Sequence, residues 1–159
     1  MDQETNRLST PVSASRAEQV HIVMPADVNA NFNLFGGILM QWIDVVAGVV
    51  GRRHAGRDVL TAAVDNLQFL APAYLNDIVE LKGRVTYVGN TSMEVCVETF
   101  VERTNDPSHK ILVNRAYLTM VALSKSGKPT QVPLLALVGD EEKADFEAGK
   151  HRRELRKRA

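Results

Sequence analysis

The chain has 159 residues, 45% of them hydrophobic and 24% charged, enough apolar material for one compact domain with its own core. Lys plus Arg and Asp plus Glu number 19 each, leaving no net field to gather nucleic acid or an anionic membrane. A single cysteine, Cys96, excludes an intrachain disulfide framework and a thiolate zinc cluster, and fits a reducing, cytoplasmic setting.

Residues 1–17 are polar and lack the apolar run of a secretory or transit peptide. They hold too little apolar surface to order themselves and are expected to form a flexible leader. The short β-branched run at residues 19–24 predicts a strand, and Asn29, Asn31 and Asn33 predict loop backbone closed by Gly36 and Gly37. A helix is predicted over residues 37–54, stopped by Gly56, with Arg52, Arg53 and His54 in the last turn, where the macrodipole favours positive charge. At 13 residues, the longest apolar stretch, 38–50, is too short to span a bilayer and is interrupted by Gln41 and Asp44, so membrane insertion is not expected.

Beyond the helix the period becomes two. Val79, Leu81, Gly83, Val85 and Tyr87 alternate with Glu80, Lys82, Arg84 and Thr86; Met93, Val95 and Val97 alternate with Glu94, Cys96 and Glu98. This is the pattern of a half-buried antiparallel hairpin turning at Gly89-Asn90. Residues 60–70 and 111–123 predict strands buried on both faces, residues 125–128 a turn, and residues 141–158 a polar helix. One helix and a run of antiparallel strands make an α+β domain in which a curved sheet wraps the helix.

Chemistry points first to that helix. At 100° per residue, Gly37, Gln41, Asp44, Gly48 and Gly51 share one stripe, with Leu39, Trp42, Ile43, Val46, Val49 and Val50 on the remaining surface. Interior glycines each cost roughly 0.5–1 kcal/mol relative to Ala, so the stripe implies close approach by a ligand or another backbone. Asp44 is the only charged residue between Gly37 and Arg52, and a carboxylate in apolar surroundings is costly unless paired or working. Gly36 and Gly37 bring free N–H groups to a helix N-terminus, where they can hold a carbonyl oxygen or oxyanion. Asp44 lies two turns, roughly 10 Å, beyond Gly37, so both can line one slot. Asn29, Asn31 and Asn33 are amides able to fix a water or a carbonyl, or simply loop formers.

These residues together resemble a known family. The run from Met24 to Asn29, the run from Phe35 to Asp44, Val64-Asp65 with Phe69 and Pro72, the turn Gly89-Asn90-Thr91-Ser92, and Thr119 to Ala122 are similar to the hotdog-fold acyl-CoA thioesterases of the cytosolic acyl-CoA hydrolase type. The resemblance covers residues 20–137 and implies a hotdog domain over about residues 18–138; beyond it, residues 139–159 are expected to form a polar, basic C-terminal helix. It implies hydrolysis of acyl-CoA to a fatty acid and coenzyme A by a homodimer with a continuous sheet, assembled into a hexamer, with active sites at the dimer interface. Asp44 matches the family's helix acid, as general base or nucleophile, and Asn29 matches the loop amide supplied by the opposite subunit. Gly36 and Gly37 match the substrate-binding glycine pair, and Gly89, Asn90, Thr91 and Ser92 the coenzyme A surface. Many relatives carry Gly where this chain has Phe32, and some carry His in place of Phe35, which implies a reshaped loop and acyl pocket.

Competing chemistries are poorly supplied. His21, His54, His109 and His151 have no acidic or cysteine partners at metal-ligand spacing, so no metal is expected, and no cofactor beyond the coenzyme A of the substrate. No Gly-x-Ser-x-Gly elbow or phosphate-binding Gly-rich Lys loop occurs. Cys96 reads as a packed strand residue, and Trp42 and Met40 as helix core. Residues 150–158 carry six Lys or Arg against one Glu, without interleaved aromatics, and read as a solvated helix rather than a nucleic-acid surface. The alternative from another class is a non-catalytic acyl-CoA sensor on the same fold. A hotdog dehydratase fits poorly, because no His lies in the helix slot or the loop before it.

Overall fold

A computed structural model describes residues 7–159. The elements in chain order are β1 (Ser9–Pro11), β2 (Ala17–Ile22), α1 (Gly36–Ala55), β3 (Val59–Phe69), β4 (Ile78–Val88), β5 (Ser92–Arg103), β6 (Asp106–Ala122), β7 (Leu134–Ala136) and α2 (Gly139–Arg158). Five strands form one antiparallel sheet in the order β2-β4-β5-β6-β3, and β1 pairs in parallel with β7.

The helix α1 lies across the inner face of this sheet. Leu39, Ile43, Val46, Ala47 and Val50 are buried against Leu81, Val85, Met93, Val95, Val97, Leu118 and Met120. At Gly83 the two layers meet most closely, since a Cβ there would stand 2.7 Å from Val46 Cγ1 and 3.0 Å from Val50 Cγ2. The predicted stop is observed: Gly56 caps the helix with φ of 67° and its N–H bonds the Arg52 carbonyl at 2.9 Å, closing the last turn.

Four expectations change. Residues 7–17 are not a leader: Ser9–Pro11 takes ladder bonds from β7, and Val12 and Ser15 are buried. Their order comes from the strand they pair with and not from their own composition; residues 1–6 lie outside the described residues. A bulge between Val85 and Tyr87 shifts the phase of β4, turning Tyr87 to the outer face while Val88 goes inward. Strand β3, expected to be covered on both faces, has Leu60 57% and Val64 42% exposed, because it is the edge strand of the sheet.

The fourth change concerns α2, read from sequence as a solvated helix. It docks on the outer sheet face. Arg152 makes a forked pair with Glu94 (3.0 and 2.7 Å) and lies 3.8 Å over the Tyr117 ring. Arg156 bonds Asp65 at 3.0 Å, Arg153 bonds Tyr87 Oη at 3.1 Å, and Phe146 packs against the Tyr87 ring. The charges that look solvated in sequence meet opposite charges and aromatic faces on the strands. Gly149 permits this approach, since a Cβ there would be 2.7 Å from Tyr87 Cβ.

Candidate active site

The loop before α1 is built by Asn29. Its Oδ1 accepts the N–H groups of Asn31 (3.0 Å) and Asn33 (3.2 Å), and its own N–H bonds the Asn33 carbonyl. With the oxygen turned into the loop, the side-chain NH2 is left as the donor available to a ligand. Phe32 holds this turn with a positive φ of 59°, an unusual conformation for a side chain of its size.

The Phe35 carbonyl accepts from Ile38 and Leu39. The N–H groups of Gly36 and Gly37, at the positive end of the helix dipole, therefore have no partner among the described residues. Gly36 faces a cleft of about 460 Å³, which is lined also by Asn29, Leu39, Phe69, Leu70 and Val113. Gly37 does not line it; its missing side chain leaves room for the Phe35 ring.

Asp44 does not line the cleft either. Eight residues of helix, roughly 12 Å of axis, separate it from Gly36. It is exposed, contrary to the expectation of apolar surroundings, because nothing among the described residues covers this side of α1, where Met40 and Val45 are also open. One interaction fixes it: Thr61 Oγ1 on β3 donates to Asp44 Oδ1 at 2.7 Å. That bond leaves Oδ2 free, a carboxylate oxygen oriented from below and open above.

Thr61 is the residue that the sequence reading missed. Its only signal was a hydroxyl on the helix-facing side of an otherwise apolar run from Val59 to Val64. The glycine stripe is explained only in part. Gly51 admits Val59, with a Cβ position 3.2 Å from Val59 Cγ2, whereas Gly48, one turn beyond Asp44, faces open space.

The turn of Gly89, Asn90, Thr91 and Ser92 stands apart from the Asn29 cleft. Through β6 it lies beside the beginning of β3, since Ser92 is in register with Val121, and Val121 with Leu60 next to Thr61. One chain thus carries two separate clusters: Asn29 with the α1 N-terminus, and Asp44 with Thr61 nearer the turn. Cys96 is buried on the outer sheet face, where burial pushes its thiol up to about 11 and Arg84 opposes that rise. It does not line the Asn29 cleft. Among the described residues no group of three or more His, Cys, Asp or Glu side chains stands ready to hold a metal, and no helix is long and apolar enough to cross a membrane.

A protein-family model of the thioesterase superfamily matches residues 32–107. The chain is 38% identical over 128 residues to an uncharacterized acyl-CoA thioester hydrolase of Bacillus subtilis, covering 80% of this chain and 74% of that one. A solved apo-hexameric acyl-CoA thioesterase superposes with a TM-score of 0.90 at 38% identity, covering 95% of this chain and 96% of the other. An acyl-CoA hydrolase from Staphylococcus aureus, solved with butyryl coenzyme A, coenzyme A and coenzyme A disulfide, gives 0.88 at 36% identity and covers 94% and 90%. That hydrolase has also been solved with an asparagine, an aspartate and a threonine each replaced by alanine. The fold is therefore the hotdog fold, and the chain belongs to the acyl-CoA thioester hydrolases of the thioesterase superfamily. It is also 35% identical to the cytosolic acyl coenzyme A thioester hydrolase of Rattus norvegicus, but spans only 37% of that protein's length.

Proposed function

We propose that the protein hydrolyses acyl-CoA thioesters to a free acid and coenzyme A, in the cytoplasm, with Asp44 as general base. The observation that carries this reading is the Asp44 carboxylate on an open helix face, anchored through one oxygen by Thr61. The other oxygen can take a proton from water. Membership in a family whose solved relatives bind coenzyme A supplies the substrate class.

In this reading the two clusters are half-sites of a dimer, supported by their separation within one chain. In that dimer Asn29, Gly36 and Gly37 of one subunit would face Asp44 and Thr61 of the other, with the Met40 and Val45 side chains that are open in a single chain at the seam. The thioester oxygen accepts from the free Gly36 and Gly37 N–H groups, and the Asn29 amide steadies the carbonyl or the water. Asp44 removes a proton as the water oxygen bonds to the carbonyl carbon. The tetrahedral oxyanion then expels the thiolate by cleavage of the C–S bond, and the proton held by Asp44 goes to sulfur. No metal or added cofactor is required. Three such dimers form a hexamer, as the hexameric relative suggests.

The test is free-thiol release from short- to long-chain acyl-CoAs by the wild type and by Asp44→Ala, with folding checked by circular dichroism. Hydrolysis of some member by the wild type and a loss of roughly 10²–10⁴ in the folded variant is the expected result. A folded wild type that binds acyl-CoA but releases no thiol from any member contradicts it and leaves the sensor reading.

A further inference from the structure

The turn joining β4 to β5 commits all four of its carbonyls within the chain. Ser92 accepts from the Gly89 N–H at 2.8 Å, Thr91 from Ala122 at 3.0 Å and Asn90 from Val132 at 2.9 Å. The remaining carbonyl, of Gly89, accepts from the Arg7 guanidinium. The same guanidinium reaches the Asn90 carbonyl at 3.2 Å, and its Nε donates to the Val132 carbonyl at 2.6 Å. Arg7 thus ties both sides of the turn to the segment preceding β7, while Gln131 donates to Asn90 Oδ1 at 3.1 Å.

With the backbone carbonyls engaged, what stays free is backbone donors and two hydroxyls. The N–H groups of Asn90 and Thr91 and the hydroxyls of Thr91 and Ser92 have no partner among the described residues. Arg153 of α2 lies over Gly89, its guanidinium about 3 Å from where a Cβ would stand. A surface whose backbone carbonyls are engaged, rich in N–H and O–H, and flanked by two guanidinium groups suits a ligand made of acceptors with negative charge. The phosphates of coenzyme A have that chemistry, and the thioester end does not.

We infer that Arg7 is a positioning residue for substrate binding: by holding the turn through its carbonyls it keeps the free donors directed at the phosphate-bearing end of acyl-CoA. The inference rests on the acyl-CoA reading above. Arg7 lies far from Asp44 in sequence and touches neither half-site, so it acts on binding and not on the reacting atoms.

The experiment compares the whole protein with Arg7→Ala and Arg7→Lys on two substrates. One is an acyl-CoA the protein hydrolyses; the other is the N-acetylcysteamine thioester of the same acid, which lacks the nucleotide and phosphates. With folding verified by circular dichroism and melting, Arg7→Ala should raise KM for the acyl-CoA roughly tenfold, about 1.4 kcal/mol, with kcat retained. The truncated thioester should show no change. Arg7→Lys should behave like Arg7→Ala, because an ammonium keeps the charge but lacks the planar fork that spans these carbonyls. Equal losses on both substrates, no change in KM, or full recovery by lysine would overturn the inference. If the wild type turns over neither substrate, the hydrolase reading fails by itself. Calorimetric binding of coenzyme A and pantetheine then decides on Arg7: weaker coenzyme A binding with pantetheine unchanged supports it, and unchanged coenzyme A binding overturns it.

Discussion

Thr61 and Asp44 sit on different layers of the fold and meet through one short hydrogen bond, Oγ1 to Oδ1 at 2.7 Å. The bond sets which carboxylate oxygen is held and which is open. Thr61→Val removes the donor and keeps the shape, so kcat for thiol release should fall roughly tenfold to a hundredfold, while the melting temperature changes little. Thr61→Ser should recover most of the rate. A valine variant with wild-type kcat would show that the bond does not orient the base.

If Asp44 acts as base, the new oxygen of the product acid comes from solvent at every turnover. Mass spectrometry of a single turnover in ¹⁸O-labelled water should find the label in the first equivalent of acid. Unlabelled acid in that first turnover, with label entering the protein, is the signature of a nucleophilic Asp44 instead.

Docking of α2 depends on Gly149 and on the Glu94–Arg152 pair, in which Glu94 is 2% exposed. Gly149→Ala forces a methyl group to within 3 Å of both Tyr87 Cβ and Glu94 Oε1. It should cost about 1–3 kcal/mol. Glu94→Ala strands the Arg152 guanidinium and should cost about 3–5 kcal/mol. Urea unfolding monitored by circular dichroism measures both, and a solvated α2 would leave both variants at wild-type stability.

His54 is 2% exposed, and burial pushes its imidazole below the ordinary 6.5. Nε2 donates to the Pro133 carbonyl at 3.0 Å, which partly opposes this, and Arg7 adds to the lowering. His21, stacked on Trp42, is lowered in the same direction, again chiefly by burial. Between the folded-state values and 6.5 the unfolded chain binds more protons than the native one, so stability rises with pH there. It should therefore be fully present above about pH 6.5 and fall as the solution is acidified below it. Replacing His54 with Gln should flatten that limb of the urea midpoint against pH, and a slope identical to wild type would exclude His54 as its source.

Cys96 is fully buried, with its thiol pushed up to about 11 by that burial. Iodoacetamide at pH 8 should leave the native protein unmodified and label one site in denaturant, as mass spectrometry can read. Rapid labelling without denaturant would mean that α2 opens readily from the outer face.

The helix and hairpin were legible because their signals are local: Phe35-Gly36-Gly37 opening α1, Gly56 closing it, and the alternation from Val79 to Glu98. What escaped depends on partners distant in the chain. Ser9–Pro11 is ordered by Leu134–Ala136, and Arg152, Arg153 and Arg156 by Glu94, Tyr87 and Asp65. Asp44 was found for a reason the single chain does not bear out, since its surroundings are open and not apolar. Thr61 escaped because threonine is an ordinary strand residue, and only the packing of α1 over β3 brings its hydroxyl to Asp44.

The central claim is that Asn29 and Asp44 act on one thioester from opposite subunits. Mixing Asn29→Ala with Asp44→Ala subunits, after mild dissociation and reassembly, tests it directly. Each mixed dimer would hold one intact site and one doubly defective site. The two inactive proteins should then recover roughly a quarter of wild-type thiol release at equal mixing. If both residues serve a site within one subunit, every site in the mixture stays defective, and no activity above the separate variants would appear.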